Sequence, residues 1–108
     1  MLYELRIYHS MPGKLPALLK RFEMATVALF EKHGFRQVGY WTTAIGESNA
    51  DLHYILAWES MEERDRKFAA FAMDPDWIAV RAKSEENGPL ISSFSNSILT
   101  PTKFSALK

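Results

Sequence analysis

The sequence contains no cysteine, so neither a disulfide framework nor a thiolate-ligated metal is available to it. It has no surplus of charge either: 13 Lys and Arg balance 13 Asp and Glu over 108 residues. Nucleic-acid binders and polybasic membrane-surface modules both rely on a basic excess, so neither class of partner is expected. Apolar stretches such as 68–73 fall far short of the ~20 residues that a membrane-spanning helix needs. Histidine is scarce: His9, His33 and His53 are the only three. No two of them are four apart on a helix and no H-E-x-x-H occurs, so no metal site is expected. The sequence also lacks a G-x-G-x-x-G or phosphate loop, a G-x-S-x-G elbow and an S-x-x-K pair. Cofactors are therefore expected to be none. Met1 leads straight into Leu2–Tyr8, which is polar at every second or third position and unlike a signal peptide. With no cysteine to oxidise, the expected location is cytoplasmic.

What remains is an ordinary globular composition, 47% hydrophobic and 24% charged, with a rich aromatic share of 13%. The length supports one domain, residues 1–108. Residues 2–9 alternate as a strand, with Tyr3, Leu5 and Ile7 on one face and Glu4, Arg6 and Tyr8 on the other. Pro12-Gly13 turns the chain, and Pro16 suits the first turn of a helix. Leu15, Leu18, Leu19, Phe22, Ala25, Leu29 and Phe30 recur at helical spacing and form its inward stripe, while Arg21 falls off it. Gly34 is placed to end that helix. Residues 35–45 are β-branched and aromatic and read as a second strand, 46–51 as a turn, and 52–59 as a central strand.

Ser60-Met61-Glu62-Glu63 has the form of a capping box, and Asp74-Pro75-Asp76 restarts a helix with an N-cap, a proline at the first position and an acid in the first turn. Residues 90–100 form a last, serine-rich edge strand before a short tail. The order β-α-β-β-α-β predicts an α+β, ferredoxin-like split βαβ fold: a four-stranded antiparallel sheet with helices on one face. The strands carry apolar residues on both faces. The expected partner is therefore a second copy, in a homodimer closed face to face as a dimeric α/β barrel.

Several polar groups sit where a core is expected. Arg6 and Tyr8 lie on the same strand face as Glu4. One reading is an ion pair within the sheet. The other has Arg6 facing a cavity and meeting an anionic or carbonyl ligand, with Tyr8 donating a hydrogen bond. Tyr40, Tyr54, Trp58 and Trp77 need partners for their polar atoms when buried. Tyr54 and Trp58 share a strand face, and Trp77 and Arg81 lie one helical turn apart. A pocket between sheet and helices, lined by Tyr54, Trp58, Trp77 and Arg81, follows geometrically. His53 is read as an interface histidine, with general base or haem ligand as the alternative.

The residues also resemble the NIPSNAP family. The matching pieces run from Tyr3-Glu4-Leu5-Arg6 with Tyr8 and Pro12-Gly13-Lys14, through Gly39-Tyr40-Trp41-Thr42-Thr43 with Ile45-Gly46, to Leu56-Ala57-Trp58-Glu59-Ser60 and Glu63-Arg64. Asp74-Pro75-Asp76-Trp77, Asn96-Ser97-Ile98-Leu99-Thr100-Pro101 and Phe104-Ser105 complete them. The resemblance implies the dimeric α/β-barrel fold, shared with cofactor-free monooxygenases, haem-degrading oxygenases and muconolactone isomerases. It implies a small-molecule-binding barrel with a small apolar or aromatic ligand, and a monooxygenase-like activity without cofactor as its enzymatic form. The alternative is a non-catalytic interaction platform. An acid is usual in the family where Ala44 stands, and the family's strand-three histidine maps to His53 or to Tyr54.

Overall fold

A computed structural model describes residues 1–108. Four strands, β1 (Leu2–Ser10), β2 (Arg36–Thr42), β3 (Asp51–Trp58) and β4 (Ile91–Leu99), form one antiparallel sheet in the order β2-β3-β1-β4. Helices α1 (Leu15–Arg21), α2 (Val27–Lys32), α3 (Met61–Ala72) and α4 (Pro75–Ser84) complete the ferredoxin-like α+β arrangement. α1 and α2 form one continuous helix through a π-helical turn at Phe22–Thr26.

The local signals act as the sequence dictates. Ser60 Oγ accepts from the Glu63 amide at 3.1 Å and caps α3, while Glu63 Oε1 reaches back to the Glu59 amide at 3.4 Å, one residue before the Ser60 amide that a full capping box would engage. Asp74 caps α4, accepting the Asp76 amide at 2.8 Å, and Pro75 follows it. Gly34 leaves α2 at φ +77°, a left-handed conformation that a side chain would strain. β2 is shorter than the expected 35–45: its last pairing is Thr42 with Leu52, at the start of β3, and Ile45 beyond it is fully exposed.

The register puts Glu4, Arg6 and Tyr8 opposite Leu56, Tyr54 and Leu52, all on the helix-covered face. Phe22, Phe30, Phe35 and Phe71 from the helices and the loop into β2 fill that face against Tyr54 and Trp58. Phe30 and Phe35 stack at 4.5 Å and 18°, and Trp58 meets Phe35 edge-on at 5.1 Å. Each fully buried large side chain stabilises by about 1.5–3 kcal/mol, so this aromatic layer carries much of the fold. The opposite face holds Tyr3, Leu5, Ile7, His53 and Ile55, half-buried within the single chain, together with Trp41 and Leu99, which are more exposed.

The first helix departs from its expected stripe. Ala25 is not fully buried, whereas Arg21 and Thr26 are. Arg21 lies three residues after Leu18 and so flanks the same inward face of an ordinary α-helix, and the π turn that follows takes an extra residue, so that Thr26 rather than Ala25 comes inward. Thr26 Oγ donates to the Arg21 carbonyl at 3.3 Å, five residues back.

Candidate functional site

A cavity of about 470 Å³ opens between the β1–β4 side of the sheet and the helices, within the size range of small-molecule sites. β1 contributes Arg6 and Tyr8, the π turn contributes Phe22 and Thr26, and Arg21 precedes that turn. Trp77 and Arg81 come from α4, Glu85 follows it, and Phe94 closes the open rim on β4. Phe94 is 58% exposed, because the helix layer stops short of β4. Three arginines line the space against one carboxylate, that of Glu85.

Arg6 is held from several sides. Its Nε donates to Tyr54 Oη at 2.8 Å, Nη1 to Glu4 Oε2 at 2.8 Å and Nη2 to Tyr8 Oη at 3.1 Å. Its guanidinium carbon lies 4.8 Å from the Phe68 ring centre and 5.6 Å from that of Phe94, so aromatic faces add cation–π attraction. Burial alone would favour the neutral form, but the phenol oxygens of Tyr54 and Tyr8 and the Glu4 carboxylate keep Arg6 firmly charged. A guanidinium has five N–H groups, so two remain for a ligand.

Behind Arg6, Glu4 is fully buried and organises the network. It accepts from Trp58 Nε1 at 3.1 Å, from Arg64 Nε at 2.8 Å and Nη2 at 3.0 Å, and from Asn96 Nδ2 at 3.0 Å. Burial would raise its pKa, yet the Arg64 hydrogen bonds and the charge of Arg6 hold the carboxyl below its ordinary value.

Tyr8 and Tyr54 show the direction of the chemistry. Tyr54 Oη accepts from Arg6 and donates to Tyr8 Oη at 2.8 Å. Tyr8 Oη thus accepts from both Arg6 and Tyr54. Its own proton has no acceptor within the chain, and Tyr8 lines the cavity. Burial pushes the Tyr54 phenol well above its ordinary value, and the Tyr40 phenol likewise. Both stay neutral donors at physiological pH.

Of the residues expected at the site, Arg6, Tyr8, Trp77 and Arg81 line the cavity. Tyr54 and Trp58 do not. They share the predicted strand face, but Phe35 and Phe68 cover Trp58, and Phe22, Phe30 and Tyr40 cover Tyr54. Tyr54 supports the wall through Arg6 and Tyr8, and Trp58 supports it through Glu4. Tyr40 stacks on Tyr54 at 5.2 Å and bonds Gln37, one layer behind the wall. His53 lies on the opposite face of the sheet, paired with Ile7 and Trp41. Ala44 is exposed in the loop after β2, away from the cavity.

Arg6 pairs with Glu4 within the sheet and also lines the cavity. Sequence reasoning missed Arg21 and Glu85, which meet at 3.1 Å on the cavity wall. A signal was present: Leu18, Phe22, Thr26 and Phe30 are spaced by four, wider than an α-helix favours. No group of three or more histidines and acids could hold a metal ion.

The NIPSNAP family model matches residues 3–106. No curated protein matches the chain. Among solved structures the chain is similar to a NIPSNAP family protein of unknown function from Agrobacterium tumefaciens, at 31% identity, covering 100% of this chain and 94% of that one with a TM-score of 0.87. It is similar to an uncharacterised NIPSNAP-like domain protein from Burkholderia xenovorans, at 30% identity, 96% and 87% coverage and a TM-score of 0.84. A putative antibiotic biosynthesis monooxygenase from Nitrosomonas europaea shares the fold alone, at 10% identity, 94% and 98% coverage and a TM-score of 0.63.

Proposed function

The chain belongs to the NIPSNAP family, and we propose that it is a cytoplasmic small-molecule-binding protein that closes its barrel as a homodimer. The observation that carries this reading is the convergence of hydrogen-bond donors on an aromatic-walled cavity. Arg6 and Tyr8 offer unspent N–H and O–H groups there, while Phe22, Phe94 and Trp77 supply apolar surface. Such a site suits a ligand with a flat apolar body and an oxygen that accepts hydrogen bonds. Its donors stand ready to stabilise negative charge on that oxygen, as in an enolate or phenolate. A cofactor-free oxygenation, the enzymatic form of this reading, would draw on that same stabilisation.

The dimer is part of the proposal. The uncovered sheet face presents Leu5, Ile7 and Ile55 in a layer with Trp41, which is 51% exposed. Leaving such a face in water forfeits roughly 25 cal/mol for each Å² of apolar surface that could be covered. A second copy presents the same surface, which a two-fold axis makes self-complementary.

The test is ligand binding followed by Trp fluorescence and thermal shift, with an Arg6→Met variant as control. Aromatic ketones and acids are expected to quench Trp77 and raise the melting temperature of the native protein. Arg6→Met is expected to lose that response by about tenfold or more, the scale of a charged hydrogen bond. A flat response across aromatic ketones, acids and quinones overturns the reading.

A further inference from the structure

Arg21 sits on the cavity wall in an unusual state. It is 7% exposed. Its Nη1 donates to Ser84 Oγ and Glu85 Oε2, both at 3.1 Å. Its Nε is buried with no partner. Buried polar atoms are nearly always satisfied, and an unsatisfied one on a charged group is costly. The guanidinium carbon lies 5.3 Å from the centre of the Trp77 ring, whose face supplies attraction but no acceptor.

The charges at this end of the cavity do not cancel. Glu85 Oε2 is shared: Arg81 Nε approaches it at 3.1 Å, as Arg21 Nη1 does. Two guanidiniums thus divide one carboxylate, and one positive charge remains. Arg6 adds nothing to it, because Glu4 and Asp65 match the charges of Arg6 and Arg64 in one network.

We propose that the ligand of this cavity carries a carboxylate, and that Arg21 with Arg81 binds it against Trp77. The inference rests on the cavity being a small-molecule site. The surplus of a single charge matches a monoanion rather than a phosphate dianion. A carboxylate also meets a guanidinium in charge-assisted hydrogen bonds. The bulk of the ligand then lies along Phe22 and Phe94, with its far end toward Tyr8 and Arg6. The helical spacing from Leu18 places Arg21 there, and the π turn that follows ties down its carbonyl through Thr26.

The experiment compares two probes of one shape, 2-naphthoate and the neutral 2-acetylnaphthalene, by titration calorimetry on the full chain. The native protein is expected to bind the acid about tenfold or more tightly over the ketone, the scale of a charge-assisted pair. Arg21→Gln is expected to remove that preference and leave ketone binding within about twofold. Glu85→Gln, at the exposed end of α4, removes the competing carboxylate and is expected to tighten the acid several-fold without moving the ketone. That second variant keeps the test decisive if Arg21→Gln fails to fold. Equal binding of acid and ketone by the native protein overturns this inference alone. An unchanged acid affinity in Glu85→Gln does the same. Silence from both probes overturns the cavity reading and this inference with it.

Discussion

Arg64 on α3 forks onto both carboxylate oxygens of Glu4 on β1, Nε to Oε1 at 2.8 Å and Nη2 to Oε2 at 3.0 Å. The pair fastens a helix to a central strand through a charge that has no access to water. Glu4→Gln leaves Arg6 and Arg64 facing a neutral amide inside the fold. The expected loss is about 3 kcal/mol, the usual cost of removing one partner of a buried pair. Urea unfolding followed by circular dichroism measures it. Adding Arg64→Met to Glu4→Gln is expected to restore part of the loss, since the second uncompensated charge goes too.

Acid should unfold the protein through two carboxylates. The Arg64 hydrogen bonds and the Arg6 charge hold Glu4 below its ordinary value of 4.5 against the effect of burial. Hydrogen bonds from Lys32 and His33 hold Asp74 below 3.8. In both cases the unfolded chain binds protons more readily than the folded one. The stabilisation is therefore complete above the ordinary carboxylate range and is lost as pH falls through the folded values. The urea midpoint is expected to drop between neutral pH and pH ~3, and the double variant Glu4→Gln with Asp74→Asn to show a flatter profile.

At the alkaline end the sign reverses. Burial raises the Tyr54 and Tyr40 phenols above their ordinary value of 10.0, so the folded chain keeps protons that the unfolded chain releases. Stability contributed by these groups is intact below pH 10.0 and declines as pH climbs toward the folded values. Phenolate absorbance is expected to appear in two stages, with Tyr40 and Tyr54 ionising only as the circular dichroism of the fold is lost.

The uncovered sheet face should govern self-association. Ile55→Lys places a charge in the middle of that face, between β1 and β2 partners Leu5 and Gly39. Sedimentation velocity is expected to show a dimer for the native chain and a monomer for Ile55→Lys. Ile78→Lys on α4, a site already 54% exposed, is the matched control and should leave the dimer intact.

Gly39 tests the same face more gently. A Cβ there would come within 2.7 Å of Trp41 Cη2. The indole lies flat over the glycine and has open space to swing into, being 51% exposed. Gly39→Ala is therefore expected to cost little in folding, about 1 kcal/mol or less. It should weaken dimerisation at least several-fold and shift the Trp emission of the dimer.

The sequence carried whatever depends on neighbours along the chain. The caps at Ser60 and Asp74, the glycine stop at residue 34 and the alternation of β1 and β3 all form from local hydrogen bonds and the two-residue strand period. Those same rules put Arg6 and Tyr8 on one face of β1 and Trp77 and Arg81 on one side of α4, and the structure brings the four around one space. They placed Tyr54 and Trp58 on the right face at the wrong depth, because depth is set by the rings laid over the strand, Phe22, Phe30 and Tyr40 on Tyr54 and Phe35 and Phe68 on Trp58. The partners of Glu4 come from residues 58, 64 and 96, and no spacing rule links those positions. Arg21 escaped because a charged side chain reads as solvated, although its place three residues after Leu18 flanks the inward stripe.

The π turn has a hereditary side. Dropping one codon between positions 22 and 26 would rewind the segment as plain α-helix, and because the π turn holds its extra residue in about the same sweep, α1 and α2 would keep their relative rotation. Phe30, the core beneath α2 and the guanidinium at position 21 would keep their places, while the Thr26 bond to the Arg21 carbonyl would go. A lineage built on this scaffold can thus gain or lose one residue at the rim of the cavity without redesigning the sheet.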